Sequence, residues 1–202
     1  MANVSELVIR PASTDDAEGI HAIYAPVVRD TTISFEFEPP TVEEMRRRWE
    51  DGHHRYPWLV AVEGLRVLGY SYASTHRART GYQWSAETSI FVADGARRRG
   101  IARALYGLLL ETLWAQGFAN AFAGIGLPNP GSVALHETLH FRSIGVFERI
   151  GFKLGQWVDV GWWQLSSPRV SASPAPTLPF VEIAEGDPFH EAAARAMKRI
   201  TA

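Results

Sequence analysis

Apolar positions along the chain recur at two spacings, and the switches between them outline the elements. Val8-Ile9-Arg10-Pro11 reads as a short first strand stopped by proline. Ser13 or Thr14 then caps a helix whose first turn carries Asp15, Asp16 and Glu18, acids that suit the positive end of a helix. Ala17, Ile20, Tyr24 and Val27 recur three and four apart, so this helix should bury one face as far as about Arg29. Phe35 and Phe37 fall in a short extended piece ending at Pro39-Pro40. Thr41-Val42-Glu43-Glu44 is a capping box that opens a second helix to about Asp51. Residues 58–63 and 67–74 are two β-rich runs joined by Gly64-Leu65-Arg66, which is a hairpin pattern. A polar loop over 77–82 leads to a strand over 86–92, broken at Asp94-Gly95-Ala96. Residues 101–116 form a strong helix, with Ala102, Leu105, Leu109 and Leu113 on one face and Gly117 closing it. Residues 119–127 read as a short buried strand, and Pro128-Asn129-Pro130-Gly131 as a loop. Ser132 is placed to cap a helix running to about His140. The last two strands, 144–150 and 153–164, are separated by a break at Gly151.

The second half thus alternates strand, helix, strand, helix, strand, preceded by antiparallel hairpins. That order predicts an α/β (α+β) fold with some parallel pairing. The pattern changes from Ser166, where a Ser- and Pro-rich stretch runs to Pro179. Two parts are expected: a catalytic-size domain over 1–166 and an arm over 167–202. Phe189, Ala193, Met197 and Ile200 form a short amphipathic stripe in that arm, suited to pack on the core or on another chain.

Composition narrows the function. The chain has 202 residues, 46% hydrophobic, which is enough for a sizeable core. It contains no Cys, which excludes disulfides, thiol nucleophiles and thiolate metal sites. No apolar run approaches the 18 or so residues of a membrane span. Residues 1–10 carry Glu6 and no long apolar core, so no export signal is expected and the predicted location is the cytoplasm. His53 and His54 are adjacent in a turn without a third ligand at useful spacing, so no metal is expected. The net charge of −2 calls for neither a nucleic-acid nor a membrane partner. Between residues 77 and 103, however, six arginines (77, 79, 97, 98, 99 and 103) face only Glu87 and Asp94. Either this is a solvated surface or it serves a small anionic ligand.

Residues 89–104 favour the ligand. A strand leads into Arg97-Arg98-Arg99-Gly100-Ile101-Ala102 and then a helix. Gly100 and the small Ala102 would let a ligand approach the backbone. The free N–H groups and positive dipole of the helix start would face it, and three arginines supply counter-charge. Physically this is a pyrophosphate cradle. It has neither the Lys and spacing of a P-loop nor the three glycines of the dinucleotide fingerprint.

Arg97-x-x-Gly100-x-Ala102 between strand and helix resembles the acyl-CoA loop of the GCN5-related N-acetyltransferases (GNAT). Further motifs resemble the phosphinothricin (methionine sulfoximine) acetyltransferase subfamily and follow its order over roughly residues 7–165. They are Tyr56-Pro57-Trp58-Leu59-Val60-Ala61, Ala78-Arg79-x-x-Tyr82-x-Trp84-x-Ala86-Glu87, Gly126-Leu127-Pro128-Asn129, Leu135-His136-Glu137 and Trp157-x-Asp159-Val160-Gly161-Trp162-Trp163-Gln164. The tail segment Pro179-Phe180-Val181-Glu182-Ile183 is similar too.

The resemblance implies a mixed sheet, flanked by helices, that splays between two parallel strands, here residues 86–92 and 119–126. Acetyl-CoA would lie in the split. The backbone of Ile90, Phe91 and Val92 would pair with its pantetheine arm. Arg97, Arg98, Arg99, Gly100, Ile101, Ala102 and Arg103 would hold its pyrophosphate. Asn129, and less directly Ser132, would reach it from the second strand. Glu87 stands at the family's base position. Taken alone, a carboxylate on such a strand reads as an outward charge or as a proton acceptor, since an amine attacks a thioester only when neutral. His136 is the second catalytic candidate, as a proton relay or as a group that orients Glu87. Arg79 and Tyr82 match the acceptor loop, with Arg77 beside them and Phe35 as an apolar wall. The implied activity is direct transfer in a ternary complex to the α-amino group of a small amino-acid-like acceptor such as phosphinothricin or methionine sulfoximine. That activity would give herbicide resistance, and the implied assembly is a homodimer. The alternative is another amine: a different amino acid, a polyamine or a protein N-terminus. A polyamine pocket should be acidic, which Arg79 opposes, and a sequence pI of 6.4 argues against a nucleic-acid module. Two features depart from the family pattern: His140-Phe141 where Gly-Phe or Gly-Tyr is usual, and three consecutive arginines at 97–99.

Overall fold

One seven-stranded sheet organises the protein, whose computed structural model describes residues 6–201. The strands are β1 (Leu7–Pro11), β2 (Trp58–Glu63), β3 (Arg66–Thr75), β4 (Ser85–Val92), β5 (Asn120–Leu127), β6 (Arg142–Lys153) and β7 (Gln156–Ser166). Their spatial order is β1-β2-β3-β4-β5-β7-β6. All neighbours are antiparallel except β4 and β5, which run parallel. Helices α1 (Ala17–Asp30), α2 (Val42–Gly52), α3 (Ile101–Gln116), α4 (Pro130–Thr138), α5 (Phe180–Ala184) and α6 (Asp187–Thr201) flank the sheet. This is the predicted mixed α/β layering. The segment from which an absent export signal was expected lies partly outside the described residues. No described helix is long and apolar enough to cross a membrane.

Each face of the sheet has its own apolar layer. On one face α1 and α2 bring Ile20, Tyr24, Val28 and Met45 onto Trp58, Val60 and Tyr70. On the other, α3 lays Leu105, Tyr106, Leu109 and Leu113 on Leu59, Leu68 and Ala86. A fully buried Leu contributes about 1.5–3 kcal/mol, so α3 is the mechanical centre of that layer. It is buried on more than the single face its spacing predicts, because α6 packs along its outer side through Phe189, Ala192 and Ala196. The Pro-rich stretch before α5 is tied down as well. Ala175 O accepts from Trp84 Nε1 at 2.7 Å, and Leu178 exchanges hydrogen bonds with Gln116. The arm therefore shares a core with the rest of the chain.

Local signals held at Thr41, whose Oγ1 accepts from Glu44 N at 3.1 Å, and at Gly117, which ends α3 at φ 94°. Three differ. Asn129 caps α4, its Oδ1 accepting from Ser132 N at 3.1 Å; Pro130 at the first helical position favours that earlier start. Ser13 caps a 3-10 turn over Thr14–Asp16, and α1 begins after it. Gly151 lies inside β6, where the ladder to β7 resumes after an irregularity over residues 148–150. A Cβ there would come within 2.3 Å of the Phe35 ring, so the glycine makes room for that ring. The actual turn is Leu154-Gly155, both at positive φ, as a tight two-residue hairpin requires.

Candidate active site

The parallel pair is short. Ser85, Ala86 and Glu87 pair with Asn120, Ala121 and Phe122, and there the ladder stops. β4 stays paired to β3 as far as Val92, so the strands part with Glu87 at the fork. The other edge of β4 over residues 88–92 keeps backbone groups unpaired, an edge that an extended ligand can join as a strand would. The cleft between the parted strands has a volume of about 610 Å³, within the range of small-molecule sites.

The cleft takes in most residues assigned to the cofactor. Ile90, Phe91, Val92, Arg97, Arg98, Ala102, Asn129 and Ser132 all line it. Arg98 at φ 62° and Gly100 at φ 80° turn the chain so that α3 starts with its first N–H groups free of helix partners. Three placements qualify the expected cradle. Arg99 points away and pairs with Glu63 at 2.9 Å. The Ile101 side chain is in the core, which leaves only its backbone for a ligand. The open side of Gly100 faces α6, where a Cβ would lie 3.4 Å from Arg199 O. Its role is the left-handed turn and not the close approach of a ligand. Arg103 is exposed and does not line the cleft. Asn129 Oδ1 is occupied by its cap, so its Nδ2 is the atom left to reach into the cleft.

Successive residues of β4 point to opposite faces, and each face holds a histidine. Glu87 projects on the α1 side, where its Oε1 accepts from His76 Nδ1 at 3.1 Å. Burial pushes the Glu87 carboxyl above its ordinary value, opposed by His76 and Arg77. The His76 ring stacks on Phe122 at 4.2 Å and meets Tyr82 and Trp162 edge-on. Glu87 itself keeps 37% of its side chain exposed.

Thr88 projects on the α3 side. Its Oγ1 lies 2.5 Å from Tyr106 OH, to which its one proton is directed, and 3.1 Å from Phe122 O. Tyr106 OH lies 3.0 Å from His136 Nε2, and His136 Nδ1 lies 2.7 Å from Ser132 O. A carbonyl only accepts, so Nδ1 carries the proton and Nε2 accepts from Tyr106. Burial holds the His136 pKa below its ordinary value. His136 lines the cleft but is only 3% exposed, and the hydrogen-bond partner of Glu87 is His76.

The acceptor candidates fall on the Glu87 side. Tyr82 ends a 3-10 turn that Arg79 precedes, and both are exposed. Arg77 and His76 line a smaller cavity of about 160 Å³ with Trp162 and Phe147. Phe35 stands over Gly151 on a loop that Lys153 pins by donating to Ser34 O at 2.6 Å and Val28 O at 2.5 Å. Lys153 is buried, which lowers its pKa. Glu36 fixes the same loop through Arg48 at 2.9 Å and Tyr24 at 2.7 Å.

His76 was not visible from sequence. The β3–β4 register pairs Thr75 with Ala86. Continuing it sets His76 across from Ser85 and diagonal to Glu87 on one face. The connecting segment over 76–84 is too long for its sequence to fix that register. His140 also finds its explanation. It is exposed at φ 68° just past α4, the left-handed position where glycine is usual, and it does not line the cleft.

A sheet that forks at a parallel pair, with a helix N-terminus and arginines at the mouth, defines a ligand cleft of the acyltransferase kind, and the chain belongs to the GNAT acetyltransferase family. The family model for the acetyltransferase (GNAT) domain matches residues 9–162. Among relatives, a phosphinothricin N-acetyltransferase of Streptomyces viridochromogenes is 40% identical over 176 residues, covering 87% of this chain and 95% of that protein. An L-methionine sulfoximine/L-methionine sulfone acetyltransferase of Pseudomonas paraeruginosa is 34% identical, covering 82% of this chain and 98% of its own. Among solved structures, a GNAT phosphinothricin acetyltransferase of Sinorhizobium meliloti in complex with AcCoA superposes with a TM-score of 0.77. It is 36% identical, covering 85% of this chain and 93% of that one.

Proposed function

We propose that this protein transfers the acetyl group of acetyl-CoA to the α-amino group of a small amino-acid-like acceptor such as phosphinothricin or methionine sulfoximine. The observation that carries the reading is the fork at Glu87. One carboxylate, raised by burial and partly open to solvent, stands at the last rung before the strands part, and the cleft that opens beyond it carries Arg97 and Arg98 at its α3 end. The relatives and the solved neighbour named above support the choice of acceptor and cofactor.

The residues fit acetyl-CoA. The free edge of residues 88–92 suits an amide-bearing arm, and the α3 N-terminus with Arg97 and Arg98 suits a pyrophosphate. Acetyl-CoA supplies an activated thioester, so the protein's part is positioning, removal of one proton and placement of donors. Glu87 Oε2 takes the proton of the acceptor ammonium, directly or through one water; the free amine then forms the new C–N bond as the thioester C–S bond breaks, and the second proton shed by the nitrogen goes to the departing CoA sulfur, which leaves as the thiol. Unpaired N–H groups of residues 88–92 are available to negative charge developing on the carbonyl oxygen. His136, neutral and with both nitrogens engaged, braces the cleft wall through Tyr106 and Thr88. Arg79 and Arg77 suit the acceptor carboxylate, which a guanidinium holds with two parallel hydrogen bonds, and Tyr82 and Phe35 border it. Transfer is direct in a ternary complex: the chain has no Cys for an acyl-thioester, and its sequence shows no Ser-His-Asp order for an acyl-ester. The setting is the cytoplasm, and acetylation removes the amine charge by which an amino-acid mimic is recognised. This would give resistance to such a compound.

The assembly is a homodimer. β6 is an edge strand, and with its turn it exposes Ile144, Val146, Ile150, Phe152, Leu154 and Trp157. An apolar edge of that length is a pairing surface. Light scattering at micromolar concentration should give twice the chain mass, and a monomer refutes this part.

The activity is tested by thiol release from acetyl-CoA across amino acids, phosphinothricin, methionine sulfoximine and polyamines. Turnover confined to amino-acid-like acceptors is expected. Preference for a polyamine overturns the reading.

A further inference from the structure

The β3–β4 connection carries a histidine that the proposed mechanism has not used. We infer that His76 is a positioning residue for Glu87, its Nδ1–H holding Oε1 so that Oε2 stays free for the acceptor amine. The inference rests on the reading of Glu87 as the base.

Three observations support it. A carboxylate only accepts, so the 3.1 Å contact fixes Nδ1 as the protonated nitrogen in either charge state of the ring. The ring is held on several sides: flat on Phe122 at 4.2 Å and 11°, edge-on to Trp162 at 76° and to Tyr82 at 80°. A donor clamped this way sets the carboxylate plane at little entropic cost when substrate arrives. Third, Phe122 is the residue paired with Glu87 at the last rung before the strands part. The fork thus builds its own clamp, since the partner of Glu87 in the ladder also carries the ring that orients it.

The remaining charged or titratable neighbours are few. Arg77 acts on the carboxylate by its field, and Tyr72 and Tyr82 add phenols from β3 and the connecting turn. From β5, β6 and β7 come Phe122, Phe147 and Trp162, which carry no charge.

Two variants separate hydrogen bonding from packing. His76→Phe keeps a ring for Phe122 and removes the donor. His76→Asn loses the ring and keeps an N–H close to the place of Nδ1. The readouts are the ¹³C carboxyl titration of Glu87, the acidic limb of kcat/KM for the acceptor, and KM for acetyl-CoA. Loss of a donor to the charged form raises a carboxyl pKa. His76→Phe should therefore move the Glu87 midpoint up by about one pH unit, the scale of a hydrogen bond to a charged group. The acidic limb should move with it, and KM for acetyl-CoA should stay within about twofold. His76→Asn should return most of the shift. An unmoved midpoint in His76→Phe, or equal shifts in both variants, overturns the inference. Failure of the base reading looks different: the midpoint moves while the acidic limb does not, and Glu87→Gln stays active.

Discussion

Two adjacent residues of β4, Glu87 and Thr88, each lead to a histidine, and the two sides of the sheet use it differently. On the Glu87 side the chain of contacts is short and open: one hydrogen bond to His76, aromatic walls, and a carboxylate 37% exposed. On the Thr88 side it is long and closed, running through Tyr106 and His136 to Ser132 O, with every member buried or nearly so. A proton acceptor needs a free lone pair that substrate can reach. The open side has one at Glu87 Oε2, and on the closed side both His136 nitrogens are already engaged. In the proposed mechanism the same residue type therefore serves chemistry on one face and rigidity on the other.

The sharpest way to break this comparison is to disable each side in turn. Glu87→Gln should lower kcat by about 10²- to 10⁴-fold at neutral pH, the usual worth of a general base. His136→Gln should lower it by less than about tenfold. Steady-state kinetics with saturating acetyl-CoA decide. Equal losses would make His136 a participant.

Stability should show the reverse order. Tyr106→Phe leaves Thr88 Oγ1 and His136 Nε2 buried with one partner fewer, which costs about 2–3 kcal/mol. His76→Phe should cost less than about 1 kcal/mol, because its partner is partly solvated. Urea unfolding of the two variants measures the difference.

The two sides should also answer pH with opposite signs. Burial depresses His136, so the unfolded chain takes up its proton more readily than the folded one. Its contribution to stability is complete above the ordinary value of 6.5 and is lost as pH falls below it. Glu87 is raised, so the folded state holds the proton more tightly. Its contribution is complete below the ordinary value of 4.5 and is lost as pH rises through the folded value. In urea midpoints against pH, His136→Gln should flatten the fall just below 6.5. Glu87→Gln should be more stable than the wild type at neutral pH and should lose that advantage near about pH 4.

A smaller effect lies at the end of α4, beside the closed network. His140 holds a left-handed backbone at φ 68°, which strains any residue with a Cβ. His140→Gly should raise stability by about 1 kcal/mol or less and leave kcat unchanged, as differential scanning calorimetry and turnover would show.

Much of this arrangement was legible in the sequence, for physical reasons that differ by element. α3 was plain because a long apolar period ends in Gly117, and the turn before it because Gly100 follows a run of arginines. Both signals are local. Glu87 and His136 were found through family motifs, since a charge on a strand does not announce its surroundings. The hidden features depend on contacts between distant segments. His76 meets Glu87 only through a hairpin register that its long connection leaves open. Gly151 looked like a break because a glycine emptied for the Phe35 ring has the same letter as one in a turn. Gly100 was assigned an open side toward the ligand, and that side faces α6, more than eighty residues further along the chain.

The central claim is that Glu87, and not the solvent alone, removes the acceptor's proton. It is tested most directly by the ratio of wild-type kcat to Glu87→Gln kcat, followed from about pH 6.5 to 9.5 with acetyl-CoA saturating. An α-amino group is mostly protonated at the low end of that range and mostly free at the high end. A base matters only while there is a proton to take. The ratio should therefore be large near pH 7 and fall steadily as free amine becomes abundant. A ratio near one at pH 7, or a large ratio that does not change with pH, would contradict the claim.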